Sequence, residues 1–242
     1  MLRSTDRILT THVGSLPRPD DLRQALVARD DGQPYDAAGF ESLVKNAVAG
    51  VVREQVAYGI DVINDGEQSK RSWSTYARER LGGHENHPDQ AKGGGHPIFG
   101  RDLPEFAEYF ETMGPGRGPN ARGGITASGA MPRYDVVVGP LTYTGQEFLQ
   151  RDLDNFKAAL SATPALEGFV SAVSPGTIEH WLHNQYYKSD EEYLYAIADA
   201  MRVEYEAIAN AGFVVQIDDP DLADGWQIHP EMDVPAYRKY AE

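Results

Sequence analysis

One pattern occurs twice in this chain: a helix-like run, a glycine, a short β-rich run, then carboxylates. The first copy reads Gln55-Val-Ala-Tyr-Gly59-Ile-Asp-Val-Ile-Asn-Asp65-Gly-Glu67. The second reads Ala207-Ile-Ala-Asn-Ala-Gly212-Phe-Val-Val-Gln-Ile-Asp218-Asp219-Pro220. In each, the glycine stands where a helix ends in the left-handed conformation. The β-rich run of about five residues after it reads as a strand. Each strand delivers acid at its C-terminal end, the edge where parallel α/β proteins bind ligands and do chemistry. Two acidic strand ends on one rim point to an active site rather than a surface charge run.

The elements that must position these acids follow from periodicity. Ile8 to Val13 is β-rich and is closed by Gly14-Ser15-Leu16-Pro17-Arg18-Pro19. Glu41 to Tyr58 reads as a helix, with Val44, Val48, Val52 and Val56 on one stripe. Strand Ile60 to Asn64 follows, then a helical run from Trp73 to Leu81 in which Arg78 and Arg80 are read as a solvated face. The stretch at about 82–124 is rich in Gly, Pro and His and reads as an excursion from the core, with a short helix near Leu103 to Thr112. Strands are expected at Tyr134–Val138, Phe169–Val173 and Phe213–Ile217. Helices are expected at Gln146–Leu160, Glu191–Asn210 and from Pro235 onward.

Strands alternating with helices imply a parallel sheet. Five strands suit either an open doubly wound sheet or the first five of a (β/α)8 barrel. The chain stops inside a helical pattern, and a complete barrel takes about 250 residues before insertions. The fold expected is therefore α/β, a (β/α)8 TIM barrel truncated after the fifth strand, in a single partial domain over residues 1–242. Such a piece leaves open sheet edges, so the chain is expected to self-associate or to take a partner chain that completes the barrel. Exposed apolar side chains are expected along Tyr134–Val138 and Phe213–Ile217.

Composition narrows the function classes. The chain has 242 residues, 41% hydrophobic and 24% charged, which is globular and large enough for a sizeable core. Its net charge of -15 repels phosphate backbones and argues against a nucleic-acid partner. No run approaches the roughly 18 apolar residues of a membrane span, and Met1 to Ile8 holds no apolar signal core. A cytoplasmic protein without membrane contact is expected. There is no cysteine, which excludes a cysteine nucleophile or a thiolate metal ligand within these residues.

Four segments, in order, resemble the catalytic barrel of the cobalamin-independent methionine synthase family and its shorter relatives. They are Thr10-Thr11-His12-Val13-Gly14-Ser15-Leu16-Pro17-Arg18-Pro19, Asp65-Gly66-Glu67, Ser174-Pro175-Gly176-Thr177-Ile178-Glu179-His180-Trp181, and Gln216-Ile217-Asp218-Asp219-Pro220-Asp221-Leu222-Ala223. The resemblance implies methyl transfer from a methylated folate, or another donor, to a thiol such as homocysteine. It implies that Gly14 and Ser15 lie against the carboxylate of an amino-acid substrate and that Glu67 and Asp218 take its ammonium group. Two carboxylates suit one ammonium through charge-assisted hydrogen bonds. Trp181 would give the folate ring a face to stack on. His12 stands where long members often carry Thr, and Asp219 is a further candidate beside Asp218. The family's zinc lowers the pKa of the thiol. By family pattern its ligands are a His-x-Cys pair, a Glu and a Cys on later strands, and this chain lacks them. No catalytic residue and no metal ligand is assigned in this chain.

Each residue also has a plainer reading. Gly14-Ser15 makes a turn. Glu67 serves as a solvated loop acid or supports the next helix. Asp218 and Asp219 cap the loop ahead of Pro220. Trp181 is core. The ordered occurrence of all four segments favours the functional reading. His84, His87 and His96 are read as exposed loop residues rather than a metal site. Two other functions remain open. One is a non-catalytic or split-chain barrel that binds an amino acid or thiol. The other is a metal-free lyase or decarboxylase on a related barrel, such as the uroporphyrinogen decarboxylase-like group.

Overall fold

A computed structural model describes residues 1–90, 100–112 and 134–242. In chain order the elements are α1 (Asp20–Asp30), α2 (Ala37–Ala57), β1 (Val62–Ile63), α3 (Trp73–Arg80), β2 (Leu81–Asn86), α4 (Asp102–Glu105), α5 (Ala107–Thr112), β3 (Asp135–Tyr143), α6 (Gln146–Ala162), β4 (Glu167–Val173), α7 (Pro175–Glu179), β5 (Leu182–Asn184), α8 (Asp190–Asn210), β6 (Val214–Asp218), α9 (Asp221–Ile228) and α10 (Val234–Ala241). Among the described residues no helix is long and apolar enough to cross a membrane.

Both glycine signals act as the sequence predicts. Gly59 has φ +77° and Gly212 has φ +90°. At the end of α2, Gly59 N–H donates to the Val56 carbonyl and Ile60 N–H to the Gln55 carbonyl; at the end of α8, Gly212 donates to Ala209 and Phe213 to Ile208. These paired bonds are the Schellman ending, which satisfies orphan carbonyls and turns the chain directly into a strand. At its other end α2 is capped by Asp36, whose side chain accepts from Gly39 N–H.

The chain divides into two compact units. The first holds Met1–Gly82, Pro140–Pro175 and Leu194–Asp218; the second holds Gly83–Gly139, Gly176–Tyr193 and Asp219–Glu242. The sheet of the first unit has the order β1-β4-β6, with both pairings parallel. Val62 lies opposite Glu167, and Val173 opposite Asp218. The strands therefore end on the same side, with the acids of both copies beyond them. Val44, Val48 and Val52 of α2, Phe156 of α6, and Ile197, Met201 and Ile208 of α8 are buried with Ile63, Phe169 and Ala172 of the sheet. Each large side chain so buried contributes roughly 1.5–3 kcal/mol.

Several expectations are corrected. Ile8–Val13 is not a strand: a single parallel bridge joins Thr11 to Val62. The Thr10 N–H that would extend a ladder donates instead to the Asp61 carboxylate at 2.9 Å. Two short strands, β2 and β5, and three helices, α1, α7 and α9, were not expected. The helix expected near Leu103–Thr112 is broken into α4 and α5. In place of five consecutive barrel strands, the described residues form two three-stranded sheets, β1-β4-β6 and β2-β3-β5. Barrel closure is not seen among them. Of the apolar side chains expected to be exposed, Val136 and Val137 are fully buried, while Val138 and Ile217 are exposed.

Arg80 is not on a solvated face. It is buried in the first unit, where it pairs with Asp152 at 2.6 Å and Glu204 at 3.0 Å. The Tyr143 hydroxyl also donates to Glu204, at 2.7 Å. In the second unit, β3 pairs in parallel with β5 through Asp135–Leu182 and Val137–Asn184, and the Tyr134 ring stacks on His183. Within the stretch 82–124, the described residues carry most of β2, a 3-10 turn at Pro88–Gln90, α4 and α5. His84 is not an exposed loop residue: it lies in β2, largely buried, with Nδ1 3.9 Å from the Asp135 carboxylate. His87 Nε2 lies 3.2 Å from Glu85. His96 lies outside the described residues.

Candidate functional site

The loop after β1 is a run of polar side chains that are all buried: Asn64, Asp65, Glu67, Gln68, Ser69 and Lys70. Buried polar groups must be hydrogen-bonded to be tolerated. The Asn64 main chain is held by the Gln55 side chain of α2, through bonds of 3.2 and 2.8 Å. The Asn64 amide donates to the His12 carbonyl at 2.7 Å, and its carbonyl oxygen accepts from Gly66 N–H. Gly66, at φ +64°, packs so closely that an added Cβ would lie 3.1 Å from Val51 and 3.2 Å from Leu16.

Glu67 is the described non-glycine residue in the left-handed region, with φ +54°. Such a conformation is strained for a residue with a Cβ and persists where surrounding bonds over-determine it. Those bonds are present. Asp65 accepts from Glu67 N–H at 2.9 Å. Arg18 donates to the Glu67 carbonyl at 2.7 Å. The Ser15 hydroxyl donates to the Glu67 carboxylate at 2.5 Å. Leu16 N–H donates to the Gly66 carbonyl at 3.1 Å. The loop Gly14–Arg18 and the acid loop thus form one structure, and Glu67 is not a solvated loop acid.

Asp218 ends β6, opposite Val173, and its carbonyl accepts from Ser174 N–H at 2.9 Å. Its carboxylate accepts from the Gln216 amide at 2.8 Å. Burial raises its pKa above the ordinary carboxylate value, and the Glu67 charge adds to the rise; Gln216 and Lys70 oppose it. Asp65 is also pushed up by burial, opposed first by Lys70. Burial lowers the pKa of Arg18, against the pull of Glu67 and Asp65. The rim thus holds two carboxylates close enough to feel each other, an arrangement that a cationic ligand relieves.

Of the residues singled out in the sequence, Ser15, Glu67 and Asp218 lie on the C-terminal rim of this parallel sheet, with Gly14 beside Ser15 at φ +90°. His12 turns its Nε2 back to the Gly14 carbonyl at 3.1 Å, which makes it part of the loop's own framework. Trp181 and Asp219 belong to the second unit. There Trp181 is half-buried after α7, its backbone N–H donating to the Ile178 carbonyl. Asp219 is exposed, and its carboxylate accepts from Asp221 N–H at 3.4 Å. Sequence reasoning missed Arg18, Asn64, Gln55 and Lys70. The signal available was an unusual density of polar residues directly after a buried strand.

Residues 8–90 match the family described as "Cobalamin-independent synthase, Catalytic domain", a stretch that contains Ser15, Arg18, Glu67 and Lys70. Over that stretch the chain is similar to this family. The methionine synthase of Sulfolobus acidocaldarius is 27% identical over 214 residues, which is 88% of this chain and 52% of that protein. That of Saccharolobus solfataricus is 25% identical, over 88% of this chain and 53% of that protein. The structure of a B12-independent methionine synthase from Shewanella sp. W3-18-1, in complex with selenomethionine, matches 96% of this chain and 64% of its own with TM-score 0.59 at 17% identity. The chain spans about half the length of the curated relatives it matches.

The family brings an expectation of zinc, and the described residues do not fit it. The sequence has no cysteine, and among the described residues no group of three or more His, Cys, Asp or Glu is arranged to hold a metal ion.

Proposed function

We propose that this chain binds the amino-acid substrate of a methyltransferase that moves a methyl group from a methylated folate, or another donor, to a thiol such as homocysteine. The observation that carries the reading is the pair Glu67 and Asp218 on one sheet rim, with Glu67 held by Ser15 at 2.5 Å. A ligand ammonium set against both carboxylates relieves their repulsion and gains charge-assisted hydrogen bonds. The Gly14–Ser15 turn offers backbone N–H groups to the ligand carboxylate. That the Shewanella relative is in complex with selenomethionine supports a ligand of this class. No thiol-activating step is assigned to these residues.

The test is calorimetric titration with L-homocysteine and with its desamino analogue. Homocysteine should bind and the desamino analogue should not, because the ammonium is what the two acids recognise. Equal binding of both ligands would overturn the reading. Methyl transfer itself is assayed with methyltetrahydrofolate as donor. The same reading includes a partner chain or second copy that adds a strand beside β6, which is an edge strand among the described residues.

A further inference from the structure

Lys70 is a buried cation to which the amino-acid-binding reading gives no role. It is 4% exposed, and an ammonium taken out of water is costly unless its charge is answered. Its Nζ donates to the Ser171 carbonyl of β4 at 2.8 Å and lies 4.2 Å from the centre of the Tyr76 ring. Its backbone N–H donates to the Glu67 carbonyl at 3.1 Å. One residue therefore grips both the acid loop and the central strand of the sheet. The connection continues to the second acid. Ser171 is in register with Gln216, and the Gln216 amide donates to Asp218 at 2.8 Å.

We propose that Lys70 is a positioning residue for the amino-acid site: it sets the spacing of Glu67 and Asp218 by tying the acid loop to β4, and its buried ammonium is the internal counter-charge at the rim before a ligand arrives. The proposal rests on the reading that these two acids take a ligand ammonium. The charged and titratable groups around it are Asp65 and Glu67 of the acid loop, Arg18 of the preceding loop, Tyr76 of α3 and Asp218 of β6. Burial disfavours charge on Asp218, Glu67 adds to the same effect, and the Gln216 hydrogen bond and Lys70 work against both. Lysine suits the role because its ammonium is a compact point charge on a flexible stem.

Two substitutions separate the tie from the charge. Lys70→Met removes both, while Lys70→Gln keeps a donor for the Ser171 carbonyl without the charge. Lys70→Arg keeps the charge. The first measurement is a carbon-13 NMR titration of the Asp218 carboxyl in the ligand-free protein. Its midpoint should rise in Lys70→Met and Lys70→Gln and stay near wild type in Lys70→Arg. The second is the affinity for L-homocysteine against pH. It should fall roughly tenfold in the uncharged variants, with the loss growing as pH falls, and recover in part with arginine. A residue that merely packs would lower affinity evenly across pH and leave the Asp218 midpoint in place, and that result overturns the proposal. If Lys70→Met does not fold, Lys70→Gln carries the same comparison. If the wild-type protein binds no homocysteine, the amino-acid reading fails by itself, and the ligand-free titration still decides whether Lys70 sets the charge of Asp218.

Discussion

The Ser15 hydroxyl donates to the Glu67 carboxylate at 2.5 Å across 52 residues of sequence. The bond joins the turn after the first β-like segment to the acid loop, and it orients one of the two carboxylates on the rim. A carboxylate held in place has little rotameric freedom left to lose when a ligand binds.

Ser15→Ala should therefore weaken L-homocysteine binding by about tenfold or more, the range for a lost hydrogen bond to a charged group. Glu67→Gln and Asp218→Asn should weaken it further, because each removes a charge from the ammonium site. Calorimetry checks all three. Unchanged affinity in Glu67→Gln would remove that acid from the site.

Arg18 holds the carbonyl of a residue whose backbone costs about 1–3 kcal/mol to keep in its left-handed conformation. Arg18→Met should free the loop to relax. Amide hydrogen exchange at Gly66, Glu67 and Gln68 should quicken, and homocysteine affinity should fall while the global unfolding midpoint moves little. Arg18→Lys lacks the planar fork and should recover only part of the protection. Unaltered exchange at these amides would show that the clamp is not needed.

The buried Arg80 guanidinium answers two carboxylates, Asp152 and Glu204. Removing one partner of such a group leaves uncompensated charge in the interior. Arg80→Met should cost about 3–5 kcal/mol in urea unfolding. Adding Glu204→Gln should return part of that loss, because it removes one of the stranded charges. Equal stability of the single and double variants would contradict this account.

Burial, with the Asp30 carboxylate alongside, pushes the Glu79 carboxyl up from 4.5 to about 7, although Arg29 opposes the rise. The folded protein thus holds this proton more tightly than the unfolded chain. The stability it contributes is fully present below about pH 4.5 and is lost as pH rises through about 7. Glu79→Gln, which cannot ionise, should flatten the pH dependence of the melting temperature across that window. A variant curve parallel to wild type would show that other groups set the slope.

β6 lies at an edge of its sheet among the described residues, and its Ile217 side chain is 49% exposed. An open strand edge with an exposed apolar side chain invites pairing with another strand. Sedimentation should show concentration-dependent association, and Ile217→Lys should shift it toward monomer. A wild-type protein that stays monomeric at every concentration would exclude pairing between copies.

Much of the fold was legible because its signals are local. Gly59 and Gly212 end helices through bonds made within a few residues, so the helix–glycine–strand–acid order can be read from either copy alone. The valine stripe of α2 announces its buried face for the same reason. The acids and the Gly14-Ser15 turn were legible as residue types in a set order. The sequence did not show which polar side chains are buried. Arg80 carries the composition of a solvated helix face but lies in the interior, because Asp152 and Glu204 arrive from segments more than seventy residues away. Lys70 and Arg18 likewise gain their meaning from Ser171 and Glu67, which only folding brings near. Ile8–Val13 has strand composition but makes only one bridge, because strand status depends on a partner's backbone, and there the Asp61 side chain takes the Thr10 N–H. Local chemistry thus determined where helices end and where acids stand. Long-range pairing of charge and backbone decided which of those residues are held together, since burial and hydrogen-bond partners are properties of the assembled chain.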